Sequence, residues 1–278
     1  MRHSTCTLQI RSLSLILLLG ASAAHADEVA SISAQGRPKI AIGYQVEVSV
    51  ASTYVFRGIP QYNKLYDASS QNTALLRLDN VGQGSVTFAV WNATALRGYG
   101  GQPGSALELD VIGSYGGRVR GAFDLSVGYI GYLFPAHASA APLDGAHELT
   151  GSFSYANPYL VPSVAIYGEF VRLQGAYLAI GLARDVIYKL FTFTPSLNLG
   201  LAAYRHYQGT DAVAKPHVND LTLALTGKLT FPRDFYATLR VAYSLRGTPE
   251  SLMTPSTDNF GFQGRSSLYG ALAIGFAR

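Results

Sequence analysis

The sequence predicts an all-β protein, a single-domain transmembrane antiparallel β-barrel of twelve strands. Three observations predict this fold. Of the 278 residues, 48% are hydrophobic and only 14% are charged, whereas about 25% are charged in ordinary soluble domains. Apolar residues recur at every second position over segments of about ten residues, which is the period of a β-strand. The connections between these segments alternate between short and long along the chain.

Composition excludes several other classes of protein. The apolar content is too high for a disordered chain, and one cysteine is too few for a disulfide framework or a cysteine-type zinc site. The longest uncharged stretch after the amino-terminal leader, 149–168, contains two prolines and is unlike a lipid-facing helix of about 20 apolar residues. A net charge of +4 without a basic run among aromatics predicts no nucleic-acid partner.

The amino terminus has the pattern of a secretory signal peptide. Basic residues precede an apolar stretch at 13–21, and Ala24-His25-Ala26 supplies a small-x-small cleavage pattern. We therefore expect a signal peptide over 1–26, a short polar periplasmic arm over 27–38 and the barrel over 39–278. The expected location is the bacterial outer membrane.

Alternation of apolar and polar residues defines the predicted strands. In 221–231, Leu or Phe occupies nearly every odd position, and Thr, Ala or Lys occupies every even one. A soluble sandwich or lipocalin-type barrel would have a charged outer face, but the polar faces here consist of Thr, Ser, Gly, Ala and Asn with few charges. These faces therefore suit a lumen, and the apolar faces suit lipid. The predicted strands are 39–57, 72–79, 85–95, 106–115, 121–134, 146–157, 162–171, 175–184, 190–204, 219–231, 235–246 and 266–277.

The connections predict the orientation of the barrel. Short turns on one side and long loops on the other are typical of outer-membrane barrels, with the turns in the periplasm and the loops outside. Short turns are predicted at 80–84, 116–120, 158–161, 185–189 and 232–234. Longer loops are predicted at 58–71, 96–105, 135–145, 205–218 and 247–265, with 172–174 as a short exception.

Tyrosine is abundant, with 18 residues, and many lie near predicted strand ends. An aromatic girdle at the membrane interfaces would place them there. The residues assigned to this girdle are Tyr54, Tyr115, Tyr132, Tyr155, Tyr177, Tyr188, Tyr204 and Tyr269.

Several stretches resemble the TorF-type porin family. Residues 52–61, STYVFRGIPQ, are similar to that family's DYVFRGISQ signature at the end of the first strand. Weaker similarities follow at 89–92, 107–110 and 129–135. The chain departs from the family at Thr53, at Pro60 and at its final residue, which is not aromatic. The resemblance implies a Gram-negative outer-membrane barrel that conducts small solutes.

The candidate functional residues are charged side chains that strand parity directs into the lumen. They are Glu47 and Arg57 on the first predicted strand, Arg77 on the second, Glu108 and Asp110 on the fourth, Asp124 on the fifth, Glu148 on the sixth, Glu169 on the seventh, Lys228 on the tenth and Arg240 on the eleventh. The carboxylates concentrate on strands four to seven, and the cations on strands ten, eleven and two. Either the two sets face each other across the bore and create a transverse field that selects solutes, or they pair directly and fill a narrow barrel.

These residues predict a passive porin-like channel, without cofactor or metal, for small polar or charged solutes. The expected partners are outer-membrane lipid and lipopolysaccharide, the transported solutes and the barrel-assembly machinery. A closed structural or surface-interaction barrel is the first alternative. A lipid-directed hydrolase is the second, because His137 and Ser139 have a His-x-Ser spacing. They fall in an Ala-rich predicted loop where strand parity does not apply, so we expect no enzymatic activity.

Overall fold

The computed structural model describes residues 40–57, 59–60, 68–96, 106–135, 145–171, 175–204, 217–246 and 266–278. The predicted signal peptide and the polar arm lie outside these residues. Within the described part of the chain, no helix is long and apolar enough to cross a membrane.

Twelve antiparallel strands form a closed barrel, so the predicted fold is confirmed. Each wall strand pairs with its sequence neighbours, and the first and last strands pair with each other. The wall strands are β1 (Ala41–Ala51), β4 (Ser69–Val81), β5 (Gly84–Ala95), β6 (Ala106–Val119), β7 (Phe123–Leu133), β8 (Ala146–Tyr155), β9 (Val161–Glu169), β10 (Gly175–Ala183), β12 (Phe191–Tyr204), β13 (His217–Thr230), β14 (Phe235–Arg246) and β15 (Ser266–Ala277). A short hairpin, β2 (Val55–Phe56) and β3 (Ile59–Pro60), follows β1, and β11 (Val186–Tyr188) pairs with the start of β12.

The two ends of the barrel differ. One end, which we call the turn end, holds the short connections and both ends of the described chain, where Tyr44 and Arg278 exchange backbone hydrogen bonds of 2.7 and 2.9 Å. The opposite end, the loop end, receives the connections that follow β1, β5, β7, β9, β12 and β14.

Two predicted boundaries are wrong. A turn is predicted at 116–120, but β6 extends through most of these residues and ends at Val119. The chain reverses at 120–122 instead, where Arg120 and Gly121 have positive φ. The predicted strand 39–57 leaves the wall after Ala51. Thr53, Tyr54 and Val55 are then buried consecutively, which is incompatible with one face in a lumen and the other in lipid.

The outer face of the wall is apolar. On β1, Ile42, Val46 and Val48 are 66%, 50% and 49% exposed, whereas the alternate residues Gln45 and Glu47 are buried. Ring pairs such as Phe123 with Phe153 cover the outer face near the turn end. Soluble proteins bury apolar side chains and expose polar ones, whereas this barrel does the opposite. A barrel in lipid requires this arrangement, because hydrocarbon cannot hydrogen-bond to polar groups.

The predicted tyrosine girdle is only partly correct. The side chains of Tyr115, Tyr155 and Tyr188 are exposed on the outside. The side chain of Tyr204 lies outside the described residues. The other four predicted members are buried inside the barrel and help to fill its interior: Tyr54, Tyr132, Tyr177 and Tyr269.

Glycines make room for these inward tyrosines. A Cβ at Gly275 would lie 2.3 Å from the Tyr236 ring, and a Cβ at Gly200 would lie 2.4 Å from the Tyr177 hydroxyl. Both distances are far below van der Waals contact, so each ring lies in space that only glycine leaves free. The high contents of glycine and tyrosine, 29 Gly and 18 Tyr, are therefore related in part, because some glycines leave the space that inward tyrosine rings fill.

We expect Gly275→Ala to displace the Tyr236 ring and to lower the free energy of unfolding by about 1–3 kcal/mol, the usual cost of overpacking. Gly113→Ala is the matched control, because a Cβ there meets no atom within 4 Å. The measurement is the urea midpoint of the refolded protein in vesicles, followed by the shift in gel mobility between unboiled and boiled samples. Equal midpoints for the two variants would contradict this account of Gly275.

Candidate functional site

The residues that follow β1 enter the lumen. We call Ser52–Arg57 the inward segment. Its Tyr54 ring packs on Trp91 of β5 with centroids 5.3 Å apart, and its Phe56 ring meets Tyr132 of β7 edge-on at 6.0 Å. Val55 packs against Ala242 and Tyr269 on the opposite side of the barrel. The segment therefore touches the wall on both sides of the bore.

Arg57 ends the inward segment and is 4% exposed. It was predicted on the first strand of the wall, but it lies beyond that strand, at a positive φ of 48°. Its guanidinium carbon is 4.7, 4.8 and 4.5 Å from the ring centroids of Phe56, Tyr167 and Tyr177. Its Nη2 donates a 2.7 Å hydrogen bond to Oε2 of Glu148. We call these three rings and the Glu148 carboxylate the arginine cage.

The arginine cage combines two attractions for a planar cation. A guanidinium over an aromatic face is stabilised by about 0.5–2 kcal/mol, more when water is excluded. The Glu148 carboxylate adds a charge-assisted hydrogen bond, and the Tyr132 hydroxyl donates a second hydrogen bond, of 2.7 Å, to the same oxygen. Because Glu148 is only 2% exposed, neither charge is compensated by bulk water.

A β-bulge on β13 holds the backbone of the inward segment. The register with β12 shifts at Gly200, and Asn219 and Asp220 are both buried in succession. Nδ2 of Asn219 donates a 2.7 Å hydrogen bond to the carbonyl of Arg57. Asp220 in turn accepts hydrogen bonds from Asn219 and from Tyr177, a ring of the arginine cage. Bulges often redirect a side chain in this way.

Carboxyl groups crowd the lumen beside the arginine cage. Glu108 and Asp110 are buried on one face of β6, and Glu148 and Glu169 are direct register partners on β8 and β9. We call these four residues the carboxylate wall. Like charges in such cross-strand positions are destabilising, so the wall requires a cation nearby. Arg57 supplies it by contacting Glu148 directly and by attracting Glu108 electrostatically.

A second polar cluster lies nearer the turn end. The Tyr236 hydroxyl donates a 2.8 Å hydrogen bond to Glu47 and accepts one of 2.9 Å from Gln45. The Lys228 ammonium lies 4.4 Å from the centroid of the same ring. Lys228 and Glu47, predicted to be pore-lining, are thus brought together around Tyr236.

Two predicted pore-lining residues pair at the turn-end mouth. Asp124 accepts hydrogen bonds of 3.0 and 3.2 Å from Arg118, and Arg77 donates one of 2.6 Å to Asp79. These pairs are exposed, so their charges do not face each other across the bore. Arg240 lies deeper, where its side chain hydrogen-bonds to Tyr269.

Of the two arrangements that the sequence leaves open, a transverse field and direct pairing, the described residues include direct pairs of Arg57 with Glu148, Arg77 with Asp79 and Arg118 with Asp124. Strand parity indicated which side chains point inward, but it gave no account of the inward segment. The functional residues that parity missed are Tyr132, Tyr167, Tyr177, Asn219 and Asp220. The three tyrosines share a parity with inward charges and could have been assigned to the lumen, whereas the bulge that turns Asn219 inward has no signal in the sequence.

The histidine candidates are largely untested. His137, Ser139 and His206 lie outside the described residues, as does the side chain of His217. His147 points outward, and its Nδ1 hydrogen-bonds to the Tyr129 hydroxyl. Among the described residues, no three potential ligands lie close enough together to bind a metal ion.

Comparison with known proteins does not assign the chain to a family. No protein-family model and no curated protein matches the chain, so the resemblance to TorF-type porins stays a prediction. Similar solved structures include LpxR from Salmonella typhimurium, with 11% identity and a TM-score of 0.49 over 84% of this chain and 99% of that one. The NanC porin has 10% identity and a TM-score of 0.47 over 84% and 98% of the two chains. A Pseudomonas aeruginosa FadL homologue has 10% identity and a TM-score of 0.39 over 85% and 90%.

We expect Arg57→Gln to lower the free energy of unfolding by about 3–5 kcal/mol, because it leaves buried carboxylates without their cation. Glu148→Gln should cost less, since Glu108 remains close enough to attract Arg57. The double variant should cost less than the sum of the two single variants. Urea unfolding in vesicles, arranged as a double-mutant cycle, measures all three values.

Arg118→Gln is the control, because its pair with Asp124 is exposed and exposed ion pairs contribute about 0–1 kcal/mol. An equal loss of stability for Arg57→Gln and Arg118→Gln would show that the buried pair has no special role.

Proposed function

We propose that the protein is an outer-membrane channel for the passive diffusion of small polar or charged solutes, with a preference for cations. The observation that carries this proposal is the imbalance of charge in the lumen. Among the described side chains toward the loop end, five carboxyl groups face two guanidinium groups. The carboxyl groups belong to Glu108, Asp110, Glu148, Glu169 and Asp220, and the guanidinium groups belong to Arg57 and Arg240.

An excess of carboxyl groups over guanidinium groups in a low-dielectric bore attracts cations and repels anions. The wall strands supply these groups from fixed positions on β6, β8, β9 and β13, so the field arises from the wall itself. The inward segment sets the bore at the same level, because it spans from Trp91 to Tyr269 across the lumen.

The surroundings proposed for the barrel follow from its outer face. The exposed apolar side chains form a belt suited to outer-membrane lipid, and the loop end would face outward toward lipopolysaccharide. Export would require cleavage of the predicted signal peptide, and closure of β1 against β15 would occur with the barrel-assembly machinery.

A closed structural barrel is the second candidate. It is favoured by the dense packing of the inward segment, whose Thr53 and Tyr54 are no more than 3% exposed. Single-channel recording in a planar bilayer distinguishes the two, since a closed barrel gives no current.

For the hydrolase alternative, the discriminating observation is lipase activity that is lost on changing His137 or Ser139.

We expect the doubly substituted Glu108→Gln, Asp110→Asn variant to lose most of the cation preference, because it removes two of the four carboxyl groups of the carboxylate wall. The measurement is the reversal potential under a tenfold salt gradient. The potential should move toward zero relative to the parent protein.

Asp234→Asn is the charge control. Asp234 is exposed in the turn between β13 and β14 at a positive φ of 66°, which Asn adopts readily. Its reversal potential should match that of the parent protein. A conducting parent protein whose selectivity is unchanged by the Glu108 and Asp110 substitutions would refute the proposed basis of selectivity.

A further inference from the structure

We propose that the arginine cage is a binding site for alkylguanidinium ions and similar compact organic cations, which compete with the Arg57 side chain for it. This inference rests on the proposed function, since it names the solute class that the channel would recognise. In the folded chain, the guanidinium of Arg57 occupies the site as an internal ligand.

The cage matches a planar organic cation better than a metal ion. Three ring faces lie within 4.8 Å of the guanidinium carbon, and aromatic faces attract organic cations through their quadrupoles. A metal ion would need several oxygen or nitrogen ligands at short range, and the described residues form no such group. A guanidinium ion satisfies the ring faces and the Glu148 carboxylate together.

An unsatisfied carboxylate oxygen gives independent support. Asp110 is 8% exposed, and its Oδ1 has no hydrogen-bond partner among the described residues. Asp110 is the register partner of Tyr132 on β7, whose hydroxyl donates a hydrogen bond to Glu148, so this oxygen belongs to the same part of the lumen as the cage. A buried acceptor without a donor carries an energetic cost. An additional cationic donor in the lumen would remove that cost.

The contacts of the Arg57 side chain allow a free cation to replace it. One side-chain hydrogen bond, from Asn219 to the carbonyl of Arg57, joins β13 to the backbone at this point. The remaining contacts of Arg57 described above involve its side chain, and a free alkylguanidinium ion can form the same contacts. A solute of this class could therefore take the place of the Arg57 guanidinium when that side chain alone leaves the cage, while Phe56 and the backbone of the inward segment stay packed.

The test uses Arg57→Gly, because glycine adopts the positive φ of this position without strain and leaves the cage empty. The probe is n-propylguanidinium, which reproduces the lost side chain. At millimolar concentration it should raise the urea midpoint of Arg57→Gly toward that of the parent protein, and it should change the midpoint of the parent protein much less, because Arg57 already occupies the cage there.

Two other probes and one variant serve as controls. n-Propylammonium has the charge without the planar fork, and n-propylurea has the fork without the charge. Both should bind at least about tenfold more weakly, since each lacks one of the interactions that favour guanidinium. Adding Glu148→Gln to Arg57→Gly should abolish the rescue, because it removes the charge of the carboxylate that pairs with the cation.

The result that would overturn the inference is an Arg57→Gly variant whose midpoint responds equally to all three probes or to none. If that variant does not fold, the permeability of the parent channel is measured instead. Guanidinium should be more permeant than sodium, and equal permeability would refute the inference. The two proposals fail separately. Rescue of a barrel that conducts no current would contradict the channel and support the site, whereas cation-selective current without rescue would do the opposite.

Discussion

The buried ion pair between Arg57 and Glu148 is the interaction on which the interior of this barrel depends. Neighbouring strands place several carboxyl groups on one side of a narrow lumen, where water compensates their charge poorly. Among the described residues, the cation that pairs with Glu148 does not lie on a wall strand. Residues 52–57 turn inward and supply this cation, so the same segment brings the positive charge and occupies part of the lumen.

The aromatic residues of the interior serve the same pair. Tyr167 and Tyr177 present their faces to the guanidinium, and Tyr132 hydrogen-bonds to Glu148. Space for the Tyr177 hydroxyl comes from Gly200 on β12, which lies diagonally from Tyr177 because its register partner is Ala179. Packing, hydrogen bonding and charge are thus coupled in one cluster, so a substitution of any member should weaken the interactions of the others.

The sequence predicted the barrel and nearly all of its strands, because period-two alternation is strong when one face meets lipid and the other a lumen. Parity also placed Glu47, Glu108 and Glu148 on the lumen side, where the structure buries them, but the predicted set left out the buried Asp220. Parity fails where the backbone is irregular. The exit of the chain after Ala51 and the bulge at Asn219 depend on contacts between distant strands, and so the arginine cage could not have been found from periodicity alone.

The placement of the inward segment across the lumen is the central claim, and a disulfide between Val55→Cys and Ala242→Cys tests it most directly. The single native cysteine, Cys6, lies in the predicted signal peptide, so mature protein should carry no competing thiol. Ala224→Cys with Ala242→Cys, a register pair on β13 and β14, controls for oxidation. Mild oxidation of the folded protein in membranes should cross-link both pairs. Cross-linking of the control pair alone would contradict the account.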